Sequence, residues 1–158
     1  MIVRTARFTR LAAVEAAAGI LIGLFALALA STMTTSPAAG VTSEQEQQEV
    51  CKEAAERYKD IYGKAMSEEP IQVIAMYKFT FCPPKLEVKQ GTKVRFVNLD
   101  KRTSHSYWFR DAGRPESERY FSGEGSEMAI DLPPGTHTYL CGPHFEREGM
   151  IGQITVTP

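Results

Sequence analysis

The sequence predicts an all-β fold, a sandwich or barrel of antiparallel or mixed sheets, preceded by one amphipathic helix. Three observations lead there. From residue 70 to residue 158 the chain breaks into short runs rich in β-branched and aromatic residues, separated by Gly, Pro, Asn or Asp. Only one segment before them keeps apolar residues at helical spacing. The composition, 43% hydrophobic and 23% charged over 158 residues, is that of a globular protein with room for one core.

The N-terminus reads as an export signal or an anchor. Arg4, Arg7 and Arg10 stand without an acid among them, and an apolar run over residues 11–30 is interrupted only by Glu15. Its unbroken part, residues 16–30, is shorter than the roughly 20 residues a spanning helix needs, and suits a signal-peptide core. Ala28-Leu29-Ala30 supplies a small-x-small cleavage pattern. The alternative is a retained membrane anchor through residues 11–30, with the basic residues inside and the remainder outside. Both readings put the working domain in the periplasm or another extracytoplasmic space. Residues 31–43, rich in Ser, Thr, Ala, Pro and Gly, read as a linker.

The helical unit is expected over residues 44–69, packed on the domain that follows. Ser43 with Glu46 three residues later fits a capping box. Val50, Cys51, Ala54, Ala55, Tyr58, Ile61, Tyr62 and Ala65 recur at helical spacing over residues 44–66, giving one apolar side. Pro70 marks the stop, because the residue before a proline is pushed out of helical geometry. The β domain, residues 70–158, then shows eight expected strands, at 71–76, 77–81, 86–88, 93–99, 105–109, 128–132, 136–141 and 151–157. Alternation along 105–109 puts His105, Tyr107 and Phe109 on one face, with Ser106 and Trp108 on the other, Trp108 lying under the helix or at an edge.

Charge excludes one class of partner. Eighteen Lys and Arg against 19 Asp and Glu leave a net charge of −1, too balanced for a protein that binds nucleic acid by neutralising phosphates.

The chemistry concentrates near the C-terminus, in Cys141-Gly142-Pro143-His144 followed by Gly149-Met150. A thiol, an imidazole and a thioether share one ten-residue loop. Soft Cys and Met with imidazole suit copper, and two His with one Cys plus a distant axial Met make a blue-copper electron-transfer site. The loop lacks one His, which His105 can supply from an adjacent strand. Taken singly, each residue has an ordinary reading: a buried small hydrophobe, a structural His, a core Met. Zinc is the rival metal for two His and a Cys, and Glu146 or Glu148 is the rival to Met150. His137, on the face shared with Tyr139 and Cys141, reads as structural. Cys51 and Cys82 either form a disulfide tying the helix to the first sheet, as an oxidising compartment favours, or remain two buried thiols.

At these residues the sequence resembles the cupredoxin family, in particular its plastocyanin-like and pseudoazurin-like blue copper proteins. The likeness runs through Phe81-Cys82-Pro83, Leu86-x-Val88, Gly91, Val94-x-Phe96-x-Asn98, His105, Pro134-Gly135-Thr136, Tyr139-x-Cys141-x-x-His144 and Gly149-Met150-x-Gly152. The resemblance implies a Greek-key β-sandwich with one copper per chain at its end. It implies His105, Cys141 and His144 as strong metal ligands and Met150 as the axial one. It further implies a non-enzymatic electron carrier cycling Cu(I)/Cu(II), met transiently by a redox partner such as a cytochrome or an oxidoreductase. His144 would be the edge nearest solvent, inside an apolar rim of Gly142, Pro143, Phe145 and Met150. Three departures stand out: six positions from His144 to Met150, one more than in plastocyanin-like loops, Ser106 where many members have Asn, and Gly142 where they often have Ser or Thr. The competing functions are a nitrosocyanin-like protein with a Glu ligand, copper delivery or storage, and a metal-free binding sandwich. A second, His-rich copper centre is excluded, since only His137 remains to build it.

Overall fold

The computed structural model describes residues 43–158; the expected signal or anchor at 1–30, and the linker as far as residue 42, lie outside the described residues. Helix α1 spans Glu44–Tyr62 and opens on the expected capping box, in which the Ser43 hydroxyl accepts from the Glu46 N–H and the Glu46 carboxylate accepts from the Ser43 N–H. It ends earlier than Pro70 suggests. Gly63, at φ 74°, takes the left-handed cap position and donates its N–H to the Lys59 carbonyl. A short 3₁₀ turn at Met66–Glu68 then leads to the first strand. Among the described residues no helix is long and apolar enough to cross a membrane.

Among the described residues seven strands form two sheets. The first has the order β2-β1-β4-β5, with β1 at Gln72–Tyr77, β2 at Thr80–Cys82, β4 at Lys93–Asn98 and β5 at Gly125–Ala129. The second has the order β3-β7-β6, with β3 at Lys85–Lys89, β6 at Gly135–Leu140 and β7 at Ile151–Thr157. Pairs β1–β4 and β3–β7 are parallel and the others antiparallel, so the fold is a mixed β-sandwich.

Strands β1 and β4 are buried on both faces, which explains the unbroken apolar run of β1. Ile74 and Met76 point into the sandwich with Phe81, Val94, Phe96, Tyr139, Cys141, Met150 and Ile154. Val73 and Ala75, with Cys82, Val97 and Leu99, point the other way and are covered by Ala54 and Tyr58 of α1. The helix buries the stripe of Cys51, Ala54, Tyr58 and Tyr62, while Ala55 and Ile61 face solvent. Cys51 and Cys82 are joined in a disulfide with Cα atoms 5.1 Å apart. Closing a loop of sequence separation 31 restricts the unfolded chain by about 3–4 kcal/mol in the chain-entropy model.

Three strand expectations change. Residues 77–81 are not one strand, since Tyr77 ends β1 and Lys78 and Phe79 turn the chain into β2. Residues 105–109 are not a strand but a loop with two single bridges, His105 to Tyr120 and Trp108 to Leu140. Here the chain crosses from one sheet toward the other, so no neighbour runs beside it long enough for a ladder. His105 and Ser106 are consequently both fully buried, against simple alternation. Trp108 is not among the residues under the helix; its indole N–H donates to the Arg114 carbonyl at 2.9 Å. Strand β5 begins at Gly125, three residues before the expected start, because the backbone of Phe96 lies where a Cβ at 125 would be and only glycine permits that approach.

Candidate metal centre

One end of the sandwich collects the predicted donors. His105 leaves β4 through the turn at residues 99–104, which is pinned by the fully buried Asn98. The Asn98 amide donates to the carbonyls of Thr103 and Tyr120 at 2.7 and 2.8 Å and accepts from the Asp100 N–H at 2.7 Å. The reciprocal His105–Tyr120 backbone bonds, 3.1 and 2.8 Å, then fix the histidine itself. Cys141 follows β6 directly and donates its N–H to the Met150 carbonyl at 3.1 Å, so the ten-residue loop closes at its base. Within the loop the Cys141 carbonyl accepts from the N–H groups of His144 and Phe145, at 2.9 and 2.8 Å. That tight turn brings the His144 ring back over the thiol. Helix α2, Phe145–Glu148, is one turn long and ends at Gly149 with φ 65°.

The donor atoms of His105, Cys141 and His144 all lie within 4.8 Å of one another. The Cys141 sulfur is 3.6 Å from Nδ1 of His105 and 3.3 Å from Nδ1 of His144. His105 and Cys141 are fully buried, and His144 is half-buried. Met150 is fully buried in the sandwich core; it is therefore not part of a surface rim. Glu146 and Glu148 are exposed on α2 and stand outside the donor group. His137 is separate as well: near the opposite end of β6 it meets the Pro133 carbonyl through Nε2, at 2.7 Å.

Electrostatics prepare the group for a cation that accepts sulfur and nitrogen. Burial pushes the Cys141 thiol up, with hydrogen bonds from Ser106 working against it. His144 is held below the ordinary imidazole range, first by burial and then by the neighbouring His105 ring. A metal takes cysteine as the thiolate, so binding at Cys141 releases the thiol proton.

Two residues support the donors, Asp100, which the sequence did not single out, and Ser106, which it marked as a departure. Asp100 Oδ2 lies 2.7 Å from His105 Nε2. A carboxylate there accepts the Nε2 proton and leaves the Nδ1 lone pair aimed at the centre, the usual way a metal-binding histidine is oriented. Ser106 accepts the Gly142 N–H at 3.1 Å and donates its hydroxyl to Glu116 at 2.6 Å. A Cβ at Gly142 would collide with the Glu116 carboxylate, so Gly142 and Ser106, two of the departures noted above, belong to one hydrogen-bonded unit.

Two imidazole nitrogens and a sulfur, brought within 4.8 Å of one another, match the ligand preferences of copper. The model of the copper-binding proteins of the plastocyanin/azurin family matches residues 71–157. The chain belongs to this family. This cupredoxin is 30% identical over 92 residues to a plastocyanin of Synechococcus sp. (strain JA-2-3B'a(2-13)), covering 50% of this chain and 65% of that protein. To a plastocyanin of Nostoc punctiforme it is 31% identical over 90 residues, covering 48% of this chain and 63% of that protein. The cupredoxin thus spans a little under two thirds of these relatives. Among solved structures, a reduced Cu(I) amicyanin variant is 24% identical with TM-score 0.49, over 60% of this chain and 90% of that one. A copper-containing nitrite reductase from Thermus scotoductus SA-01 is 29% identical with TM-score 0.48, over 60% of this chain and 24% of that one. The cofactor of this cupredoxin is copper, one ion per chain, in a family of blue-copper electron-transfer proteins.

Proposed function

We propose that this protein is an extracytoplasmic electron carrier in which His105, Cys141 and His144 hold one copper ion and Met150 supplies the axial thioether. Copper bound there supplies a one-electron couple between its +1 and +2 states. The observation that carries the reading is the convergence of three donors from two distant segments, each fixed by backbone hydrogen bonds to the chain's own groups. Donors held in this way keep one arrangement for both oxidation states, so little has to move when an electron arrives.

A carrier rather than an enzyme fits the ligand inventory. The sequence has three His, and His137 sits four residues before Cys141 on an extended strand, about 13 Å away at strand rise, so it does not extend the centre. Partners are then other redox proteins, a cytochrome or an oxidoreductase, met transiently over a small patch. An extracytoplasmic location is supported by the basic and apolar N-terminal sequence and by the Cys51–Cys82 disulfide, a bond that persists in oxidising compartments.

The test is an absorption and electron paramagnetic resonance spectrum of the copper-loaded protein, with voltammetry, beside a Met150→Leu variant. A thiolate-to-copper band, reversible one-electron reduction and a raised potential in Met150→Leu are expected. Absence of the band and of reversible reduction overturns the carrier reading, and an unchanged potential removes Met150 from the ligand set.

A further inference from the structure

The hairpin between β1 and β2 has an unusual turn. Tyr77 pairs with Thr80, so only Lys78 and Phe79 make the connection. Both have positive φ, 46° and 58°. Two-residue hairpins of that hand favour Asn-Gly or Asp-Gly, because a Cβ is disfavoured in the left-handed region. A bulky residue such as phenylalanine is a true outlier there. Backbone of this kind persists only where surrounding structure over-determines it, and it gathers at functional sites.

The surroundings here do over-determine it. The Lys78 N–H donates to Asp100 Oδ2 at 3.0 Å, the same oxygen that His105 Nε2 meets. The Lys78 ammonium pairs with Glu53 on α1, and Cys82, three residues past the turn, is tied to the same helix by the disulfide. These contacts place the Phe79 ring edge-on to both imidazoles, with centroids 4.9 Å from His144 and 6.1 Å from His105. Phe79 is itself 37% exposed. The ring therefore covers part of the half-buried His144 imidazole, which the family resemblance made the group nearest solvent.

We propose that Phe79 is the shield of the metal centre: the Lys78–Phe79 turn is kept in a strained left-handed backbone so that this ring covers the His144 imidazole against water and small ligands. A redox partner then meets the Phe79 ring before it meets the histidine. The proposal rests on the reading of His105, Cys141 and His144 as the copper site, but the covering of His144 is a property of the chain alone. A smaller or more flexible residue in an Asn-Gly turn would make a better hairpin and leave the ring edge open.

The purified full chain without metal separates the two questions. Diethyl pyrocarbonate modification of His144, followed by mass spectrometry, reports its exposure in wild type, Phe79→Ala, Phe79→Gly and Phe79→Tyr. Modification several-fold faster in the Ala and Gly variants, and slow in the Tyr variant, is expected. Strain is read from the same proteins by chemical denaturation. Glycine normally destabilises relative to alanine, but here Phe79→Gly should exceed Phe79→Ala by about tenfold in folding equilibrium constant. Copper-loaded variants titrated with azide should show a spectral change that wild type lacks. Equal modification rates in wild type and Phe79→Ala overturn the shield, and a Phe79→Ala variant as stable as Phe79→Gly overturns the strain. Failure of wild type to take up copper would overturn the carrier reading while leaving the modification result intact.

Discussion

Asp100 shows what a single residue adds to a site whose donors are already present. Its carboxylate meets His105 Nε2 at 2.7 Å and the Lys78 N–H at 3.0 Å through one oxygen, so it both sets the tautomer of His105 and joins the hairpin to the centre. Asp100→Ala removes acceptor and charge together, whereas Asp100→Asn can keep an acceptor oxygen without the charge. Loss of such a partner typically costs about 10–100-fold in metal affinity. Asp100→Ala should weaken copper by that factor in a chelator-competition titration, with Asp100→Asn between it and wild type; equal affinities in all three would show that the hydrogen bond does not orient the ligand. At this scale the sequence is uneven. His105, Cys141 and His144, which the fold brings to one point, were legible because their order and spacing form a pattern. Asp100 was not, since an acid in a polar turn five residues before a histidine reads as solvated. Phe79 was hidden for the opposite reason: Lys-Phe carries no turn signal, and both residues were expected inside a strand at 77–81.

Helix α1 was legible at the element scale, from its capping box and apolar stripe, though its end was not. Pro70 is a stop signal, but Gly63 acts first, and the residues between serve another purpose. Glu69 accepts the Tyr58 hydroxyl, lies 2.9 Å from the Lys64 ammonium and 3.5 Å from Arg95. It therefore links the helix to β4. The hydrogen bond from Tyr58, then that from Lys64, hold the Glu69 carboxyl below the ordinary carboxylate range. A lowered value means the ionised form is favoured on folding, so this contribution is complete above the ordinary value near 4.5 and disappears as pH falls through the lowered one. Glu69→Gln should lower the melting temperature at neutral pH and converge with wild type in strong acid. Parallel melting curves at all pH values would mean the carboxylate adds nothing to the helix attachment. The segment at 105–109 failed as a predicted strand for a related reason: alternation describes a side-chain pattern, while a strand also needs a neighbour, and this crossing has one only at His105 and Trp108.

The arrangement of the whole molecule follows from burying the first sheet twice. One face of β1 and β4 closes the sandwich and the other lies under α1, so the sheet carrying the His105 loop and the Phe79 hairpin is braced from both sides. A sandwich of short strands was legible in the sequence, but the parallel pairs β1–β4 and β3–β7 were not, because they join residues far apart along the chain and no local signal specifies them. These pairings bear on the metal. Small zinc domains lack a core of their own and unfold when the ion is removed, whereas here a full core and hydrogen bonds between the chain's own groups hold Asn98, His105 and Cys141. Chelating copper should therefore leave the near-ultraviolet circular dichroism and the dispersion of the amide spectrum native, apart from signals near the site. Stability should still fall on chelation, because binding to the native state alone contributes about 4 kcal/mol when free metal is a thousandfold above its dissociation constant. Loss of native dispersion in the copper-free protein would mean that the donors are assembled by the ion rather than by the fold.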